Sequence, residues 1–109
     1  MNADRDIDAR DNTEKHRFET EIEGNTAFVD YTRHGDTIWL THTEVPPEIE
    51  GRGVGTALAK YALDFAELNA LKVVPKCPFI VDYIASHPQY ANLIERDRSA
   101  PPKPPASGD

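Results

Sequence analysis

The stretch Glu50-Gly51-Arg52-Gly53-Val54-Gly55-Thr56-Ala57-Leu58 places a glycine at every second position just before an apolar helical repeat. Glycine accepts positive φ and lets a ligand come close to the main chain. The first N–H groups of a helix have no intrahelical partner and carry the positive end of its dipole. A glycine turn running into a helix is therefore an anion site suited to phosphate or pyrophosphate. A Walker loop would need Gly-Lys-Ser/Thr, which is absent. A dinucleotide turn would want glycine where Leu58 stands, and an acidic residue further on where the chain reads Val73-Val74-Pro75. On spacing alone, a plain glycine-rich turn is the alternative.

Four other residues have reactive side chains in suggestive places. His42 and Glu44 lie two residues apart on an apolar strand pattern, so strict alternation puts both on the face of Ile38 and Leu40, aimed at one pocket. The alternative for each is a solvated position on a half-exposed strand. Cys77 is the single cysteine. It precedes Pro78, which disfavours helix at the preceding residue, so Cys77 should be extended at a helix N-terminus. That setting lowers a thiol pKa, whereas a buried cysteine is commonly inert. Tyr83 falls on the next helix, on one face with Phe79 and Ile80, where core packing would also explain it. His16, His34 and His87 are scattered and show no metal-ligand spacing.

These side chains need elements to hold them. Residues 15–23 alternate weakly, and Gly24-Asn25 reads as a hairpin turn. Residues 26–33 put Ala27, Val29 and Tyr31 on one face. His34-Gly35-Asp36 is a second turn, and residues 37–45 form the clearest strand. Pro46-Pro47 ends it. From Val54 the apolar positions are Val54, Leu58, Tyr61, Ala62, Phe65 and Leu68, which predicts an amphipathic helix of about 17 residues. Residues 71–77 read as a short buried strand, and Pro78 opens a second helix that Pro88 ends. Residues 89–95 add one further turn. The class is α+β: an antiparallel three-strand meander, a crossover helix, a parallel fourth strand and a C-terminal helix on a mixed sheet.

The chain has 109 residues and a net charge of −7. One domain fits that length, and the acidic balance argues against a general nucleic-acid binder. With one cysteine, no internal disulfide can form. No apolar run approaches a membrane span, and no signal-peptide core stands at the N-terminus, so a cytoplasmic protein with no membrane partner is expected. Residues 1–13 carry few apolar side chains, and residues 97–109 hold four prolines and no large apolar one. Both ends are expected to be disordered, leaving a folded domain at 14–96.

The run from Glu44 to Leu58 resembles motif A of the GNAT-superfamily N-acetyltransferases, written Q/R-x-x-G-x-G/A. Pro75-Lys76-Cys77-Pro78-Phe79-Ile80 and Ser86-His87-Pro88-Gln89-Tyr90 resemble the short stand-alone CG-type subfamily. The resemblance covers residues 15–95. It implies acetyl-coenzyme A as co-substrate and acetyl transfer to a primary amine. It also implies that Gly51, Arg52, Gly53, Val54, Gly55 and Thr56 hold the pyrophosphate, and that the Glu44 and Val45 backbone pairs with the pantetheine arm. In the family, Glu44 stands at a general-base position, Cys77 at a proposed catalytic position and Tyr83 near a tyrosine that protonates the coenzyme thiolate. His42 would then be the base nearest Cys77. The sequence departs from the motif at Glu50, where glutamine or arginine is usual; Arg52 could supply the cation instead. No helices precede the first strand, which implies an open acceptor side fit for a protein lysine or terminus. Two other readings keep the glycine turn: an acetyl-coenzyme A-sensing or docking module without turnover, and a nucleotide-phosphate binder, which leaves Cys77 unexplained.

Overall fold

The computed structural model describes residues 7–94. Five strands form one sheet in the order of the chain: β1 (Arg10–Asn12), β2 (Arg17–Ile22), β3 (Asn25–His34), β4 (Thr37–Glu44) and β5 (Lys72–Pro75). The first four pair antiparallel, and β5 pairs parallel with β4. Helix α1 (Val54–Leu68) makes the crossover, and α2 (Pro78–Ser86) follows β5. The expected α+β mixed sheet is therefore present. Short 3-10 turns occupy Pro47–Ile49 and Pro88–Leu93.

Two turns set the meander. Glu23 (φ 53°) and Gly24 (φ 81°) are the central pair of the first hairpin, with Ile22 opposite Asn25. Positive φ at both central positions matches the right-handed twist of the flanking strands. The turn thus sits one residue before Gly24-Asn25. The second hairpin closes through Gly35 (φ 60°) and Asp36, with His34 opposite Thr37.

One sheet face packs on both helices. Phe18, Ala27, Val29, Tyr31, Ile38 and Leu40 meet Val54, Leu58, Ala62 and Leu63 of α1 and Ile80, Tyr83 and Ile84 of α2 in a single core. The buried stripe of α1 also includes Ala59 and Ala66, small residues that let the helix lie close to the sheet. Tyr61 and Phe65 are half-buried, and Leu68 is 86% exposed. The stripe is thus rotated from the expected one. Leu68 is the last helical residue, beyond the reach of the core.

The structure corrects the N-terminal boundary. Arg10–Asn12 form an edge strand on β2 rather than part of a disordered arm. Polar anchors hold it. Arg10 and Asn12 donate to the buried Glu19 carboxylate, Tyr31 donates to Asp11 at 2.6 Å, and Thr20 donates to the Asp8 carbonyl. Counting apolar side chains misses a segment held this way. The proline-rich stretch 97–109 lies outside the described residues.

Candidate functional site

The site is built where β4 and β5 part. Their pairing runs from Thr37–Lys72 to Leu40–Pro75 and stops. The Leu40 carbonyl accepts from both Lys76 N (2.9 Å) and Cys77 N (3.2 Å), which closes the ladder. Among the described residues, β4 beyond Leu40 has β3 on one side and no paired strand on the other. That leaves a backbone edge at Thr41–Glu44 able to take an extended ligand as an added strand.

A bulge changes which side chains face this opening. The β3–β4 register pairs Tyr31 with Leu40 but Asp30 with His42, so Thr41 is an extra residue. Its hydroxyl donates to the Asp30 carbonyl at 3.2 Å. A bulge of one residue reverses the alternation after it. Thr43 consequently pairs with the core residue Val29, while His42 and Glu44 pair with Asp30 and Phe28 on the other face. His42 and Glu44 do not share the face of Ile38 and Leu40, and His42 does not face Cys77.

Cys77 is where sequence puts it. It is extended (φ −91°, ψ 128°), stands at the N-cap of α2 and is buried. Its Sγ lies 3.4 Å from Thr43 Oγ1. Burial alone would push the thiol pKa up. The Thr43 hydroxyl and the backbone N–H groups of Ile80, Phe79 and Thr43 outweigh that and hold it below the ordinary cysteine value. No side chain caps α2, so its first amides remain directed at this end.

The glycine turn lies alongside. Gly51 (φ 84°) and Gly53 (φ 78°) take the left-handed conformation, and Gly53 is the N-cap of α1 with no side-chain cap bond. Gly51, Arg52, Gly53 and Thr56 are exposed, Gly55 is half-buried and Val54 is buried in the core. The Phe79 ring touches Gly55 and so joins the N-terminal turn of α2 to that of α1. The first turns of the two helices are therefore in contact through this ring.

A glycine turn at a helix N-terminus, beside a sheet that opens after a bulge, offers an anion site next to a free backbone edge. A family model described as GCN5-related N-acetyl-transferase matches residues 17–93. The chain belongs to the GCN5-related N-acetyltransferases. It is similar to Protein NATD1 of Homo sapiens, 45% identical over 58 residues that cover 51% of this chain and 51% of that protein. The Mus musculus protein of that name is 41% identical over 58 residues, covering 51% and 53%, and the Xenopus tropicalis one 39% over 61 residues, covering 54% and 56%. The chain thus spans about half the length of the curated relatives it matches.

Glu50 is exposed and extended (φ −64°, ψ 151°), with its N–H bonded to the Pro47 carbonyl. Arg52 pairs with Glu23 of the first hairpin at 3.0 Å, and both are exposed. That ion pair contributes little to stability, so Arg52 can turn toward an anion at small cost. Tyr83 is buried, with its ring stacked 3.9 Å from that of His87.

The opposite face holds His42 and Glu44, which alternation had placed together, and adds Asp30 to them. His42 Nε2 lies 3.3 Å from Glu44 Oε1, and both side chains are more than half exposed. Asp30 pairs with His42 beside them. Burial raises the Asp30 pKa first and the Glu44 charge raises it further, against the lowering effect of His42 and Arg17. Asp30 and Thr43 were both missed because their roles depend on the bulge, which no residue type announces.

No helix among the described residues is long and apolar enough to cross a membrane. No group of His, Cys, Asp and Glu among them could hold a metal ion.

Proposed function

We propose that this protein is an acetyl-coenzyme A-dependent N-acetyltransferase whose acceptor is a primary amine, of the kind carried by a protein lysine or N-terminus. The single observation that carries the reading is the opening of β4 from β5 after Leu40, with Cys77 at its mouth and the α1 glycine turn beside it. Main-chain amides from Gly51 to Thr56 would hold the pyrophosphate, and the Glu44 and Val45 backbone would hold the pantetheine arm. Acetyl-coenzyme A supplies an activated acetyl thioester. The chain's own groups flank the opening from two sides. Cys77 and Thr43 stand on the core face, and Asp30, His42 and Glu44 on the exposed face. The acidic face attracts a cationic amine, and the His42–Glu44 pair can take its proton. Cys77 serves the acyl side, as a nucleophile or as a polar wall.

The test has two arms. Coenzyme A at 100 times its dissociation constant should stabilise the fold by about 2.7 kcal/mol. Intact mass spectrometry after incubation with acetyl-coenzyme A and a lysine peptide should then show an acetylated peptide. Absence of a thermal shift at millimolar coenzyme A overturns the cofactor assignment. A shift with no acetylated product on any amine overturns the transferase reading in favour of a binding module.

A further inference from the structure

We propose that Thr43 is a positioning residue for Cys77, its hydroxyl holding the sulfur at the mouth of the β4–β5 opening. The proposal rests on the reading of Cys77 as the acyl-side group. Its geometric basis is independent of that reading. Without the bulge at Thr41, position 43 would face away from the core and His42 would face the thiol. With it, Thr43 stands on the Val29 side and reaches Cys77 across the opening.

The contact joins two elements that share no ladder at this point. Pairing of β4 with β5 has ended at Leu40–Pro75, so the Leu40 carbonyl on the Cys77 N–H and the contacts of the sulfur itself set the distance between Thr43 and Cys77. In the neutral state the thiol donates to Thr43 Oγ1 at 3.4 Å. On ionisation the hydroxyl can rotate and donate to the thiolate, because threonine both donates and accepts. A bond to a charged acceptor is the stronger of the two, so Thr43 favours the charged form. Of the ionisable groups nearby, His42 and Glu44 of β4 face the other side, and Lys76 precedes the thiol in an exposed position. Asp82 of α2 is exposed, and Tyr83 is stacked on His87. The largest favourable influences on the sulfur are hydrogen-bond donors rather than charges.

The experiment reads the thiolate directly and needs no acetyl donor, so it can succeed or fail whatever the fate of the transferase reading. Thiolate absorbance near 240 nm is titrated for the unaltered protein, Thr43→Val, Thr43→Ala and Thr43→Ser, with Cys77→Ser as the blank. Thr43→Val and Thr43→Ala should move the midpoint up and lower the thiolate fraction at neutral pH by about tenfold, the loss of one charge-assisted hydrogen bond. Thr43→Ser should keep the original midpoint, since it restores the hydroxyl alone. Far-UV spectra identify any variant that fails to fold, and the alanine and serine forms keep the comparison if valine does. An unchanged midpoint in folded Thr43→Ala or Thr43→Val, or a serine form that behaves like them, overturns the proposal.

Discussion

The Phe79 ring rests against the α-carbon of Gly55: a Cβ added there would lie 3.0 Å from Phe79 Cζ. This contact sets the spacing between the N-terminal turns of α1 and α2, and so between the glycine turn and Cys77. Phe79 is 40% exposed and can swing aside. Gly55→Ala should therefore leave the fold intact. Alanine is the better helix former by about 1 kcal/mol, which offsets the crowding. The displaced ring should instead enter the ligand's path and weaken coenzyme A binding by about tenfold, roughly 1.4 kcal/mol. Calorimetric affinity and melting temperature, measured on the same sample, check the two halves. Equal affinity would remove Gly55 and Phe79 from the binding path.

Gly53 tests the turn differently. Its φ of 78° is a conformation that side chains rarely adopt. Gly53→Val should strain the α1 N-cap by roughly 1–3 kcal/mol and block close approach to the amides. Loss of coenzyme A affinity with a retained far-UV spectrum is the expected result. Retained affinity would place the pyrophosphate elsewhere.

Residue types announced the glycine turn, the two helices and the extended Cys77 because each depends on local chemistry: positive φ, apolar spacing, and a proline at the next position. The bulge at Thr41 has no such signature. Strict alternation therefore carried His42 and Glu44 to the wrong face and passed over Thr43. The edge strand at Arg10–Asn12 was hidden for another reason, since polar side chains rather than apolar ones anchor it.

The bulge makes a definite statement about His42. A Cys–His pair would lower the thiol pKa through the imidazole. Here the two side chains lie on opposite faces of β4. His42→Ala should leave the pH titration of Cys77 unchanged while it slows acetylation of a lysine peptide. A thiol midpoint that rises in His42→Ala would show that the two groups meet after all.

Ala70 closes α1 in the left-handed conformation, φ 54°. Its N–H bonds to the Glu67 carbonyl at 3.2 Å, and the Leu71 N–H to that of Ala66 at 2.8 Å. That is the Schellman pattern, in which glycine is favoured. Ala70→Gly should stabilise the protein by about 0.5–1 kcal/mol, the left-handed penalty less the extra chain entropy of glycine. A urea midpoint that falls would show that the Ala70 methyl packs usefully.

Glu19 should set the acid limit of the fold. It is 4% exposed and accepts from Arg17 at 2.7 Å, from Arg10 at 2.6 Å and from Asn12 at 3.1 Å. Burial works to raise its pKa, but the bonds from Arg17, Arg10 and Asn12 prevail and hold it at about 2, against an ordinary value of 4.5. The folded-state pKa is the lower one, so the unfolded chain binds a proton first as the pH falls. The contribution is complete above 4.5 and is lost as the pH drops toward 2. Its size is on the order of 2–3 kcal/mol, after allowance for the exposure of Arg10. Because Arg10 and Asn12 both depend on this carboxylate, β1 should detach with it. Urea midpoints measured between pH 2 and pH 6 should fall steeply at the acid end for the unaltered protein and much less for Glu19→Gln, which starts lower. Parallel acid limbs for the two proteins would show that other carboxylates govern the transition.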